Sequence, residues 1–384
     1  MVIGSTSRLG VVQAAVRSKS QPNHTMIRSL LIIVVSSLCL SHPLYHTMTE
    51  ERGGVHRIKS HYRHGPRRAI IRLMKKEAFA MMETFKLDGT QGALIQGYCL
   101  QPNKKPVKVL HILHGMGEHA QRYETFARAM TEHGIAVYAH DHRAHGQSLM
   151  PAQTVGILSG ADSLETIVDD VEIVQDYIRQ NHPDVTVMML GHSMGSVILR
   201  AYLEQTSRTF DRIVIMGSPP YYGAVYTKMM RLLGKVMATR KKPTARHDKL
   251  ADLLNDGLIK KIPHAQTAFD WLSYDQANVK AYEEDPACGY AYNAPFYLSF
   301  FALLDRVNSR RCIAMQPPVP TLLICGADDP LNPSDKTLTQ LSIRYRQAHP
   351  DMTLEVISVS RARHEVLNEL NKADTFTKLA QFFA

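Results

Sequence analysis

Val185-Thr186-Val187-Met188-Met189-Leu190-Gly191-His192-Ser193-Met194-Gly195 runs a strand-like apolar segment straight into a serine with a glycine two residues away on either side. A serine mounted on a tight strand-to-helix turn takes strained backbone angles. The positions two before and two after it must be nearly free of side chain so that strand and helix can pass. Ser196-Val197-Ile198-Leu199-Arg200-Ala201-Tyr202-Leu203-Glu204 follows with apolar residues at helical spacing. The stretch therefore predicts a strand, a nucleophile-bearing turn at Ser193 and a helix, which is one unit of an α/β sheet.

The flanks extend that sheet in both directions. Glu83–Leu87 and Ala93–Leu100 surround the turn residues Asp88-Gly89-Thr90-Gln91-Gly92 and predict an opening antiparallel hairpin. Strands are expected at Lys108–Leu113, Ile135–Ala139 and Arg212–Met216, with amphipathic helices at Tyr123–His133 and Ser163–Gln180 between them. The alternation stops after Ser218-Pro219-Pro220, and residues from Tyr221 to about Arg311 read as helices and loops. It resumes with the strand Pro320–Cys325, a helix Leu338–Arg346, the strand Leu354–Ser358 and a closing helix Asn371–Ala384. The expected fold is α/β: a mostly parallel sheet with helices on both faces and a helical cap inserted after the sixth strand, at about 221–311. Residues 81–384 form this domain.

Charge separates the domain from what precedes it. The 384-residue chain carries a net charge of +10, but residues 1–80 hold 13 Lys/Arg against 3 Asp/Glu, leaving 32 of each in the remainder. The basicity belongs to a leader, and no nucleic-acid footprint is expected in the folded part. Within the leader, Leu30–Leu40 is an apolar run of 11 residues, shorter than the ~20 of a membrane span and long enough for a signal core. Translation starting near Met74 or Met81 would leave residues 1–80 outside the working protein, which is the expectation favoured here. The enzyme is then cytoplasmic or peripheral to a membrane. Use of the 29–40 segment, from Met1 or from Met26, would export or anchor it instead. The five cysteines are scattered with no C-x-x-C pair, so isolated thiols are expected rather than a zinc site or a disulfide framework. No metal or cofactor is expected.

A serine hydroxyl needs a base to take its proton and a carboxylate to orient that base. In a sheet of this kind the acid and the histidine follow the nucleophile at the ends of late strands. Gly326-Ala327-Asp328-Asp329-Pro330 and Arg361-Ala362-Arg363-His364-Glu365 stand at those places. Of the two aspartates, Asp329 is the chosen acid, because Pro330 holds it extended, and His364 is the base. Donors for the oxyanion are expected from the backbone N–H groups of Met194, just after the nucleophile, and Met116, within His114-Gly115-Met116-Gly117 after the third strand. His192 is read as a packing residue, and Asp141-His142-Arg143-Ala144-His145-Gly146-Gln147-Ser148 as a loop bracing the site rather than a metal cluster.

HGMGEH (114–119), DHRAHGQS (141–148), GHSMGS (191–196), ADDP (327–330) and RHEVLNE (363–369) together resemble the α/β-hydrolases of the monoacylglycerol lipase and lysophospholipase group, within the serine aminopeptidase-like superfamily. The resemblance runs from Met81 to the end. It takes in Phe269-Asp270-Trp271-Leu272-Ser273 and Asp285-Pro286-Ala287-Cys288-Gly289 in the cap, and departs at Ala144, where such proteins commonly have glycine. It implies Ser193, Asp329 and His364 as a triad with the Met116 and Met194 amides as oxyanion hole.

The expected function is hydrolysis of single-chain lipid esters, monoacylglycerol or lysophospholipid, through an acyl-serine. A small-ester esterase, thioesterase or peptidase is the alternative within the fold, and a non-catalytic binding protein the alternative outside enzymology. Val225, Met229, Met230, Leu232, Leu233, Val236 and Met237 suggest a methionine-rich acyl tunnel in the cap. Lys228, Arg231, Lys235, Arg240, Lys241 and Lys242 form a basic face turned to lipid phosphates or a membrane surface.

Overall fold

The computed structural model describes residues 82–384 apart from 152, 159–161, 222, 224, 226, 230, 233, 234, 236–241 and 243. The leader 1–80 lies outside the described residues. The chain opens with β1 (Met82–Asp88) and β2 (Leu94–Leu100), then β3 (Lys108–Leu113), α1 (Glu124–Glu132), β4 (Ile135–His140), α2 (Leu164–Asn181), β5 (Thr186–His192), α3 (Met194–Gln205) and β6 (Ile213–Met216). The cap contributes α4 (Asp248–Ile259), α5 (Gln276–Glu284), α6 (Ala294–Val307) and α7 (Arg310–Met315). The core then returns as β7 (Thr321–Gly326), α8 (Lys336–Ala348), β8 (Leu354–Val359) and α9 (Lys372–Phe383).

The eight strands order as β1-β2-β4-β3-β5-β6-β7-β8. β2 pairs antiparallel with β1 and with β4, and every later pairing is parallel. The sheet is thus the mostly parallel one expected from the alternation, in keeping with the α/β-hydrolase fold that the resemblance implies. Its central strands are apolar on both faces because helices cover both. Val109 and Leu113 of β3 join Val187 and Met189 of β5 in the core under α2 and α3, while Leu110, Ile112, Met188 and Leu190 face α1 and α9. Each such side chain, fully buried, contributes about 1.5–3 kcal/mol.

Local signals set the helix starts. Ser163 and Thr166 form a reciprocal capping box at the head of α2. Asp275 caps α5 and Ser309 caps α7 through their side chains. The four described cysteines, Cys99, Cys288, Cys312 and Cys325, are free and buried. Among the described residues no helix is long and apolar enough to cross a membrane.

Candidate active site

β5 ends at His192 and α3 begins at Met194, leaving Ser193 between them with φ 52° and ψ −119°. Such a conformation costs a non-glycine residue about 1–3 kcal/mol, and its surroundings impose it. The Ser193 N–H donates to the Met216 carbonyl across the neighbouring strand (2.9 Å). A Cβ on Gly191 would lie 2.5 Å from the Gly195 carbonyl oxygen, and one on Gly195 only 2.1 Å from that of Leu113. Both glycines of the pentapeptide are therefore fixed by backbone contacts.

His364 stands in the loop after β8, and its Nδ1 donates to Asp329 Oδ2 at 2.9 Å, both residues being buried. With Nδ1 holding a proton, the neutral ring leaves Nε2 free to accept one. Asp329 is steadied by the Leu331 N–H on its other oxygen (2.8 Å), whereas Asp328 turns outward and accepts from the Tyr274 hydroxyl (3.1 Å). Burial alone would lower the His364 pKa. The Asp329 carboxylate, by charge and hydrogen bond and aided by Glu365 and Glu118, reverses this and leaves it raised.

Met116 sits in the loop after β3, and its neighbours are both engaged. The Gly115 N–H donates to Glu118 Oε1 (2.6 Å) and the Gly117 N–H to the Tyr292 hydroxyl (2.5 Å), while the Gly117 carbonyl accepts from Gly289 of the cap (3.0 Å). No acceptor among the described residues takes the Met116 N–H. Met194 is the first residue of α3, where an N–H has no partner within the helix. Ser193, His364, Met116 and Met194 line one cavity of about 540 Å³.

Residues 104–371 match the family model described as serine aminopeptidase, S33. The chain belongs to that family. It is 26% identical to a mouse monoglyceride lipase over 275 residues, covering 67% of this chain and 82% of the relative. It is 27% identical to a monoacylglycerol lipase of Mycolicibacterium smegmatis over 268 residues, covering 70% and 85%. A thermostable carboxyl esterase from Bacillus coagulans shares the fold with a TM-score of 0.72 at 20% identity, over 79% of this chain and 97% of the esterase. The chain is a carboxylic-ester hydrolase, similar in sequence to monoacylglycerol lipases.

Around the S33-family elbow lies a buried polar network whose roles the sequence did not disclose. Glu118 Oε1 accepts from Tyr123 (2.8 Å) and lies 3.1 Å from His192 Nδ1, and its Oε2 receives Arg122 (3.1 Å). Burial would raise the Glu118 carboxyl, but His192, Arg122 and Tyr123 hold it well below the usual carboxylate range. Arg122 also pairs with both oxygens of Glu365, next to His364, and donates to Asn278 of the cap (3.0 Å). His192 is thus more than packing: its Nε2 lies 3.3 Å from the His364 carbonyl oxygen, tying the elbow to the His364 loop. Glu118 and Glu365 were visible inside HGMGEH and RHEVLNE, but spacing alone gave no sign that they converge.

The Asp141–Ser148 loop braces the site as expected. Asp141 accepts from the Ala120 and Gln147 N–H groups (2.8 and 2.7 Å), and His142 N–H donates to His114 Nε2 (2.9 Å). Ala144 takes φ 63°, a conformation that glycine adopts without penalty. In and beside the loop, His111, His114, His140, His142 and His145 are all buried. Burial, foremost in each case, lowers His111 to about 3, His145 to about 4 and the other three well below their ordinary value.

The cap departs from expectation in one respect. Val225, Met229 and Leu232 are exposed (84%, 56% and 64%) rather than lining a tunnel, whereas Met230, Leu233, Val236 and Met237 lie outside the described side chains. The cavity wall comes instead from Leu254 and Leu258 of α4, Tyr297, Phe300 and Leu304 of α6, and Trp271. Helical spacing of apolar residues over 225–237 marks one face as apolar without telling which neighbour that face meets. Folding also brings His119, Asp285 and Cys288 within 4.8 Å of one another, a convergence that the scattered cysteines did not suggest. His119 Nε2 lies 2.8 Å from Asp285 Oδ2 there.

Proposed function

We propose that the protein hydrolyses single-chain lipid esters, monoacylglycerols above all, through an acyl-Ser193 intermediate. The observation that carries this reading is the single cavity holding Ser193 and His364 beneath an apolar, aromatic cap wall. In the proposed reaction Ser193 Oγ attacks the ester carbonyl as its proton passes to His364 Nε2. The carbonyl oxygen becomes an oxyanion received by the Met116 and Met194 N–H groups, each worth about 3–4 kcal/mol of barrier. Collapse breaks the ester C–O bond, and the His364 proton leaves with glycerol. Water, deprotonated by His364, then attacks the acyl-serine and releases the fatty acid. Asp329 holds the Nδ1 proton throughout.

The charges of the lining favour a neutral head group. Among the described lining residues Lys261 is the one lysine or arginine, and its ammonium is committed to the Pro330 carbonyl (2.9 Å), while Glu118, Asp252 and Glu365 are acids. An anionic phosphate gains little there, so lysophospholipids rank below monoacylglycerols. Exposed Lys228 and Lys235 accompany exposed Val225, Met229 and Leu232 in the same part of the cap. This supports a peripheral, reversible contact of the cap with an anionic membrane surface.

The test is a lipid panel with the wild type and Ser193→Ala. Release of fatty acid from long-chain monoacylglycerol, with lysophosphatidylcholine and aminoacyl anilides turned over far more slowly and Ser193→Ala inert, is the expected pattern. Full activity of Ser193→Ala overturns the mechanism. A preference for acetyl over long-chain p-nitrophenyl esters overturns the substrate class.

A further inference from the structure

Arg200 stands in α3, two turns beyond Ser193, and is entirely buried. Its guanidinium donates to the Val307 carbonyl (2.7 Å) and to Asn308 Oδ1 (3.1 Å), both neutral acceptors. Among the described residues its Nε and second terminal nitrogen have no hydrogen-bond partner, and no carboxylate forms an ion pair with it. Arg143, also buried, and Arg122, nearly so, each meet two carboxylates. A guanidinium does not shed its proton in a protein. Burying one without a counter-charge costs several kcal/mol.

A second guanidinium faces the same place. Arg200, Arg344, Tyr221, Asn308 and Thr337 line a small cleft between α3, the α6–α7 turn and α8. Arg344 donates to the Asn308 carbonyl (2.9 Å) and lies over the Tyr221 ring, 5.1 Å from its centroid. Burial and then the charge of Arg200 lower the Arg344 pKa, the sign of two cations sharing a site. The nearby acids are used elsewhere: Asp305 accepts from Tyr221 (2.8 Å) and Glu204 from Arg306 (2.7 Å). The cleft has about 10 Å³ of free space, which suits one body near the size of a water molecule and excludes phosphate or sulfate. A water dipole would leave both positive charges uncompensated.

We propose that this cleft binds a chloride-sized monovalent anion between Arg200 and Arg344. The ion ties the helix that begins at Ser193 to the end of the cap and to α8. Pro219 walls both this cleft and the large cavity, so the ion also steadies the base of the substrate site.

The experiment measures Tm of the whole protein against sodium chloride and sodium bromide, with sodium gluconate holding ionic strength constant, alongside bromide-soaked crystals. Expected are a saturable rise in Tm with either halide and an anomalous bromide peak within hydrogen-bond distance of both guanidiniums. Arg344→Gln, at a partly exposed position, should need at least about ten-fold more halide for the same rise. Arg200→Met should abolish the response if it folds. Equal Tm in chloride and gluconate, a water in place of bromide in the cleft, or a halide response unchanged in Arg344→Gln would each overturn the proposal.

Discussion

At the residue scale the decisive pair is His364 with Asp329. The proposed base, His364, must be unprotonated to act, and its pKa is raised above the ordinary value. Activity should therefore fall as pH drops through a midpoint above about 6.5. Asp329→Asn removes the charge that raises the imidazole and the acceptor that fixes its tautomer. It should move this acid limb downward and reduce kcat by about 10⁴-fold. A pH–rate profile of the two proteins checks both, and an unmoved limb would show that Asp329 does not set the base. Gly195 offers a backbone test. Its Cβ would meet the Leu113 carbonyl, so Gly195→Ala should lose activity together with several degrees of Tm.

At the scale of elements, the loop after β3 is held by the cap through Tyr292. Its hydroxyl accepts from Gly117 and lies 2.8 Å from His145 Nε2. Tyr292→Phe leaves that amide unpaired, at about 1–3 kcal/mol. If Met116 is an oxyanion donor, kcat should fall with KM nearly unchanged. A rise in KM alone would place the role of Tyr292 in substrate binding. Removing Arg122 strands Glu118 and Glu365 as buried charges, so Arg122→Met should destabilise by about 3–5 kcal/mol in urea titrations. These elements also mark what was legible in the chain. Strands and helices of the sheet were readable because each combines a period with a boundary signal, such as Ser163 before α2 or Gly191 within β5. Pro330 constrains only Asp329 of the two aspartates, and it is Asp329 that lies 2.9 Å from His364 Nδ1. The Arg122, Glu118 and Glu365 network was not readable, since its members lie far apart in sequence and polar residues at single positions carry no periodicity. The exposed face of Val225, Met229 and Leu232 was misassigned for a related reason: an apolar stripe does not name what covers it.

At the scale of the whole molecule, five neutral buried histidines make the fold sensitive to acid. Each has a folded pKa below its unfolded value, so its stabilising effect is complete above about pH 6.5. Below that it is lost at about 1.4 kcal/mol per pH unit until the folded pKa is reached. His364 works in the opposite sense, adding stability below about pH 6.5 that disappears as pH rises through its raised pKa. One such group does not offset five. Urea midpoints should drop steeply between pH 7 and pH 5, and a flat profile would sink the account.

The grip of the cap on the His364 loop has a mechanical corollary. Glu365 N–H donates to the Leu272 carbonyl (2.8 Å), Arg363 donates to the carbonyls of Asp270 and Ser273 (2.5 and 3.2 Å), and the Trp271 ring lies 5.0 Å from that of His364. Lifting the cap as one piece would pull His364 away from Ser193 each time a substrate entered. The hinge should therefore divide the cap, with 269–274 immobile and α4, which buries only Leu250 and is fastened to that segment through Asn255 (2.7 Å from Trp271 Nε1), swinging once that bond parts. Hydrogen–deuterium exchange should find slow amides at 269–274 beside fast ones in α4, and uniform exchange across both would mean that the whole roof moves.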